Sequence, residues 1–284
     1  MKKHLPTIIA GIIFLCGLSL FLYPVVSNLY NDYMNSRDAA KYSEEIDRSP
    51  KGAYEAVWRT ARLYNQYLQY ESKLAELGLE YDEVLNLNGD GAMGYIEIPK
   101  ISVTLMIYHT TEEENLQDGL GHVEGSALPI GDKNKHSVLA GHTGLPSAKL
   151  LTNLDRIQVG DKFYIHILDE VLEYKVNQIV VVEPEDTAHT QVEQGKDLVT
   201  LVTCTPYGIN SHRLLVRGER SDGKNTNEIK EGMLEIEGDV VGIEMRYMIT
   251  CTITGLLLIF IAIFSFISII KRRKKGGEQI EEET

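Results

Sequence analysis

Residues 198–217 read LVTLVTCTPYGINSHRLLVR. Leu198 to Thr203 and Arg213 to Arg217 are short runs of aliphatic and β-branched side chains. The Pro-, Gly- and Asn-containing segment between them is turn chemistry, so the stretch reads as two strands joined by a loop. The same texture extends outward: Tyr95–Ile98, Val103–Tyr108, Lys162–Ile167 and Val171–Val182 are further β-rich runs, separated by Gly, Pro, Asp and Asn clusters. From Tyr95 onward the pattern predicts a mainly β domain, a closed or nearly closed antiparallel barrel or sandwich rather than a wound α/β sheet. The chain shows no internal repeat, no Gly-rich phosphate loop and no Cys-x-x-Cys pair.

Upstream the period changes. Ala53, Val57, Ala61, Tyr64 and Leu68 recur at spacings of three and four residues, the mark of one apolar helix face. Ser49-Pro50 is a start signal, and a second short helix is predicted over Glu71 to Leu77, stopping at Gly78. Asn86 to Gly94, NLNGDGAMG, is turn-rich and marks the boundary with the β region.

Both ends of the chain are apolar. Leu5 to Val26 and Met248 to Ile270 carry no charge over 22 and 23 residues, enough to span a bilayer at about 1.5 Å per residue. Lys2 and Lys3 precede the first run, and Lys271-Arg272-Arg273-Lys274-Lys275 follows the second. Positive charge on both outer flanks predicts cytoplasmic termini and an exported middle. A cleaved signal peptide is the rival for the first run, but Ser27-Asn28-Leu29-Tyr30 makes a poor cleavage site, so an uncleaved anchor is expected. The net charge is −13 for the chain and about −16 for the middle once the basic ends and acidic tail are set aside, which excludes nucleic acid as a natural partner. Solubility alone accounts for such a charge; a cationic partner or amine would also suit it.

Cys204 is the only cysteine outside the two apolar runs, since Cys16 and Cys251 lie within them. An unpaired thiol in an oxidising compartment is a liability unless its chemistry is used; the plainer reading is a buried cysteine acting as a small hydrophobe. Nine residues later comes Arg213, and upstream His142 sits where the apolar stretch Ser137–Ala140 gives way to a Gly-flanked loop. A thiol nucleophile needs these types. A nearby cation favours the thiolate over the thiol, whose ordinary pKa is about 8.5. A histidine can hold and return the proton, and an arginine fork can hold an oxyanion or orient a carbonyl. Spacing does not choose among His142, His136, His212 and His122 for the base. His212 and Arg213 are adjacent on a predicted strand and point to opposite faces, so one of them faces away from Cys204, and spacing does not say which. No metal-ligand spacing occurs, and no cofactor is implied.

The ordered set of motifs carries more. TLVTCTPYGINSHRLLVRG at 200–218 resembles the cysteine signature of the sortases, the cysteine transpeptidases of Gram-positive bacteria, in the form found in class C, the pilin polymerases. AGHTGLPSA at 140–148 is similar to that family's histidine motif and MGYIEIPKI at 93–101 to its first barrel strand, with GHVEG at 121–125 and PIG at 129–131 between them. The resemblance implies an eight-stranded β-barrel, with Cys204 as nucleophile, His142 as general acid/base and Arg213 as the oxyanion-holding or substrate-orienting cation. It also implies cleavage of an LPXTG-like sorting signal between Thr and Gly and transfer to an amine, in class C a pilin lysine. The chain departs from class C in one respect. No Asp-Pro-aromatic lid motif lies between Asn28 and Gly94, and Trp58 comes too early and lacks the Asp-Pro.

The expected organisation is a cytoplasmic start and anchor over 1–27, a helical segment over 28–91, the catalytic barrel over 92–220, a juxtamembrane linker over 221–247, a second membrane helix over 248–270 and a polar tail over 271–284. The expected partners are pilins or surface proteins with a sorting signal, and an amine on a pilin lysine or a cell-wall precursor. Anchoring to cell-wall amines is the nearest rival function. An L,D-transpeptidase is disfavoured because its Ser-His-Gly-Cys motif is missing, and an anchored binding protein because all three reactive types are present.

Overall fold

The computed structural model describes residues 5–50, 52–145 and 148–221. Residues 222–247 of the predicted 221–247 linker, the second predicted membrane run and the tail lie outside them. The chain divides into two units, Met1–Glu231 and Gly232–Thr284, and everything below concerns the first.

Three helices precede the β region: α1 (Leu5–Asp47), α2 (Glu55–Tyr67) and α3 (Glu71–Leu77). α3 has the predicted bounds and ends on a left-handed Gly78 (φ 63°). Among the described residues no helix is long and apolar enough to cross a membrane. The N-terminal anchor reading rests partly on side chains 5–13, which lie outside the described ones.

Eight strands follow: β1 (Ala92–Ile98), β2 (Val103–Tyr108), β3 (Leu120–His122), β4 (Lys135–Ala140), β5 (Lys162–Ile167), β6 (Glu170–Val182), β7 (Asp197–Thr205) and β8 (His212–Arg220), with a short helix α4 (Glu113–Asp118) between β2 and β3. They close into one barrel in the order β1-β2-β3-β4-β7-β8-β6-β5. The barrel is mixed, which corrects the antiparallel expectation: β2 pairs β3, and β4 pairs β7, in parallel. The β5–β6 hairpin lies between β4 and β7 in sequence but on the far side of β8 in space, so β7 returns beside β4 in the same direction. β3 escapes sequence reading because three residues are too few to show a period.

Alternation sorts the side chains. Val199, Leu201, Leu214, Val216, Phe163, Ile165 and Tyr174 fill the interior, while their strand neighbours face outward. One tight point of that interior is Gly218, paired with Val199 and Val176. A Cβ there would lie 2.5 Å from Phe163 Cε1 and 2.9 Å from Tyr174 Cβ, two rings stacked with centroids 5.4 Å apart.

The helices dock through buried polar side chains as well as apolar ones. Tyr42 on α1 donates to Met93 O at 3.1 Å and accepts from Leu168 N at 2.9 Å. Trp58 Nε1 on α2 donates to Asp169 Oδ1 at 2.8 Å. The side chain of Asn65, wholly buried, accepts from Leu128 N at 2.7 Å and donates to Leu128 O and Asp132 Oδ2, both at 3.1 Å. Beyond α3, Tyr81 Oη accepts from Thr110 N at 3.1 Å and meets Nδ1 of buried His122 at 2.8 Å. His122 Nε2 in turn donates to Ala127 O at 2.8 Å. Tyr81 donates to Nδ1, so His122 is held neutral. Burial pushes its pKa from about 6.5 down to about 4, against the backbone bond to Ala127 that favours the charged form.

Two outcomes are expected. Gly218→Ala should wedge Phe163 from Tyr174 and lower stability by about 1–3 kcal/mol, read as a drop in the urea midpoint at constant slope. Below pH 6.5 the unfolded chain protonates His122 before the folded one does, so stability falls as pH drops from about 6.5 to about 4. His122→Asn should lower stability at pH 7 yet make it less steep in that window, by on the order of 1 kcal/mol per pH unit. An unchanged steepness would show that His122 is not the titrating group.

Candidate active site

β7 runs between β4 and β8, and its register assembles the site. In the antiparallel β7–β8 ladder Cys204 stands directly opposite Arg213, while Thr205 stands opposite His212. Directly opposed residues project to the same face with Cβ atoms about 5 Å apart, so Arg213 shares the thiol's face and His212 takes the other. That resolves what spacing left open. His212 Nε2 instead meets Glu183 Oε1 at 3.3 Å, and its Nδ1 meets Ser211 Oγ at 2.8 Å.

β4 brings the third residue. Its parallel register with β7 pairs Ala140 with Val202, and the ladder continues one step further as Gly141 N donates to Val202 O at 3.0 Å. Thr203 Oγ1 donates to Gly141 O at 2.7 Å. Carried two residues past its last pair, Ala140–Val202, the same register sets His142 opposite Cys204 on the outer face. The chain then turns away, with Leu151 N donating to His142 O at 3.1 Å. Gly144 holds φ +80°, and a Cβ there would sit 3.2 Å from the ring of Tyr207 in the β7–β8 loop. The histidine and cysteine loops are thus packed against each other.

The other two candidate histidines are accounted for. His122 is wholly buried in the tyrosine contact described above. His136 lies on the same face as His142, as its spacing predicts, but is 2% exposed. Its Nδ1 donates to Gln191 O at 2.8 Å and its Nε2 meets Thr200 Oγ1 at 2.7 Å. Burial lowers its pKa, which suits a neutral anchor for the β6–β7 loop. Neither is free to act as a base.

Arg213 Nη1 donates to the carbonyls of Asn210 and His212 at 3.3 and 3.2 Å, leaving the rest of its fork without partners among the described residues. Cys204 is partly exposed and unpaired. From Arg213 a cavity of about 810 Å³ runs along the outer face over Val138, Val202 and Leu215, under the β6–β7 loop at Gln191 and Val192, to Tyr70 between α2 and α3. The loop is fixed at its base: Arg217 Nη1 meets Glu193 Oε1 at 2.6 Å, and Gly195 N donates to Asn134 Oδ1 at 2.6 Å. Trp58, the one tryptophan, is bound to Asp169 beside Glu170 at the start of β6, whereas Val182 at the end of β6 pairs with Arg213. It lies at the opposite end of a 13-residue strand from the thiol.

One residue of the site escaped sequence reading. Glu113 on α4 places its carboxylate oxygens 3.3 and 3.2 Å from His142 Nε2. The two are 29 positions apart, and no spacing connects them. Among the described residues no group of three or more acidic, cysteine or histidine side chains could hold a metal ion.

Residues 96–221 match the sortase domain. The chain is similar to the crystal structure of sortase C1 from Streptococcus agalactiae, at 42% identity over 66% of this chain and 100% of that one, with a TM-score of 0.61. Sortase C of Clostridium perfringens, determined with the C-terminal cell wall sorting motif, is also 42% identical over 66% and 100% of the two chains, at a TM-score of 0.57. Among curated proteins, sortase A of Bacillus anthracis is 27% identical over 77% of this chain and 95% of its own. With an eight-stranded barrel that agrees with these structures along their full length, this chain belongs to the sortase family of cysteine transpeptidases.

Proposed function

We propose that this protein is a class C-type sortase that joins pilin subunits through lysine amines, with Cys204 as nucleophile, His142 as general acid/base and Arg213 as oxyanion-holding or substrate-orienting cation. The observation that carries the reading is the cross-strand pair Cys204–Arg213, with His142 brought level by the parallel β4–β7 register. The class C form of the cysteine motif and the sortase C structures it resembles support the pilin-joining branch.

The chemistry follows from that arrangement. The signal peptide lies in the cavity with its scissile Thr–Gly carbonyl over Cys204. The thiol proton passes to His142 as sulfur attacks the carbonyl carbon, and Arg213 steadies the oxyanion. The C–N bond breaks, His142 returns the proton to the leaving glycine amine, and a thioester remains. An acceptor lysine then attacks the thioester, His142 takes its proton, and the thiolate leaves as the isopeptide forms. The basic flanks and uncharged runs at both ends support two membrane helices, Leu5–Val26 and Met248–Ile270, with the barrel outside the cell.

The purified full-length chain mixed with a pilin bearing an LPXTG-like tail should produce an SDS-resistant ladder that disappears with Cys204→Ala. Hydrolysed pilin without a ladder would move the reading to cell-wall anchoring; an adduct that persists in Cys204→Ala would remove the nucleophile assignment. His142→Ala should lower turnover about 10²- to 10⁴-fold, while His212→Ala keeps a substantial fraction; equal losses would overturn the choice between them. Cys204 is partly exposed and no lid motif is present, so a thiol-alkylating reagent should label it in the wild-type protein as fast as a small exposed thiol. Slow, protected labelling would show that a segment covers it.

A further inference from the structure

We propose that Glu113 is a positioning residue of the transfer reaction, holding His142 in the tautomer that presents Nδ1 to the reacting atoms. The inference rests on the assignment of His142 as the acid/base group. A carboxylate only accepts hydrogen bonds. Its two oxygens at 3.3 and 3.2 Å therefore require the hydrogen on Nε2. The lone pair of neutral imidazole is then on Nδ1, and that nitrogen takes the Cys204 proton and returns it to the leaving amine. Protonation at Nδ1 makes the imidazolium, whose positive charge Glu113 faces directly.

The placement of Glu113 is built in. Gln117, one turn on, donates to Glu113 Oε1 at 3.3 Å. α4 is tied to the end of β2, where Asn115 Nδ2 donates to Thr110 Oγ1 at 3.1 Å and also to His109 O. It leads directly into β3, whose Gly121 pairs with Ala140, two residues before His142. Gly121 is packed so closely that a Cβ would meet Thr110 O at 2.3 Å. The strand that carries the histidine and the helix that carries the carboxylate are therefore neighbours through one short rigid connection. A solvated surface contact is the ordinary fate of such a pair, since Glu113 is 66% exposed. Its location distinguishes it: of the four candidate histidines, Glu113 meets the one that shares the thiol's face and is not buried.

The test uses the full-length chain, a fluorogenic LPXTG-type peptide and ¹⁵N-histidine NMR, with the His142 signals identified by their loss in His142→Ala. Wild type should show the Nε2–H tautomer. Glu113→Ala should mix the two tautomers and lower kcat for acylation about two- to fivefold, the size of an exposed ion pair, with KM and thermal stability unchanged. Glu113→Gln, whose amide oxygen still accepts from Nε2–H, should restore the tautomer and part of the rate. An unchanged tautomer and kcat in Glu113→Ala would overturn the proposal, as would a change confined to KM, which would place Glu113 on the substrate. If His142→Ala itself keeps full turnover, the assignment of the base fails. If His142→Ala is inactive while Glu113→Ala matches wild type, only the positioning role fails.

Discussion

The register of β7 against its two neighbours is the constraint on which the rest depends. Parallel to β4 and antiparallel to β8, this strand decides which residues face the barrel interior and which face solvent. A slip of one residue would turn every side chain over. Cys204 would enter the barrel, and Val199 and Leu201, both fully buried, would be stranded outside. The interior therefore holds the chemistry in place. Phe163 and Tyr174 stack against the bare backbone of Gly218, and Tyr174 Oη donates to both oxygens of buried Asp197 at the first residue of β7.

The helical segment and the β6–β7 loop do a related job from outside. Asn65 satisfies both backbone groups of Leu128, and Tyr81 satisfies Thr110 N while fixing the state of His122. These contacts are buried and polar, so removing one partner strands the other at the cost of its desolvation. They specify where the helices sit rather than merely adding adhesion. On the substrate side, His136 and Arg217 pin the loop that walls the cavity, which makes that wall part of the frame rather than a free flap.

The histidines show how environment divides one residue type into different roles. His122 and His136 are enclosed, bonded at both nitrogens and held neutral by burial. His212 sits on the wrong face with its own carboxylate. His142 remains, partly exposed, at the thiol's level, beside Glu113.

The sequence by itself determined the class of the fold and the identity of its chemistry. The β-rich runs Val103–Tyr108 and Lys162–Ile167 match the observed strands end to end, and Glu71–Leu77 with Gly78 matches its helix, because residue preference and helix stop signals are local. The motifs around Cys204, His142 and Arg213 named the family for the same reason. Only the tertiary structure decided that β4 and β7 run parallel, that Arg213 rather than His212 faces the thiol, that His136 is an anchor, and that Glu113 reaches His142. Each of these is a relation between segments distant in the chain. Local spacing fixes neither the absolute face of a strand nor its partner; those come from closing the barrel around one well-packed interior.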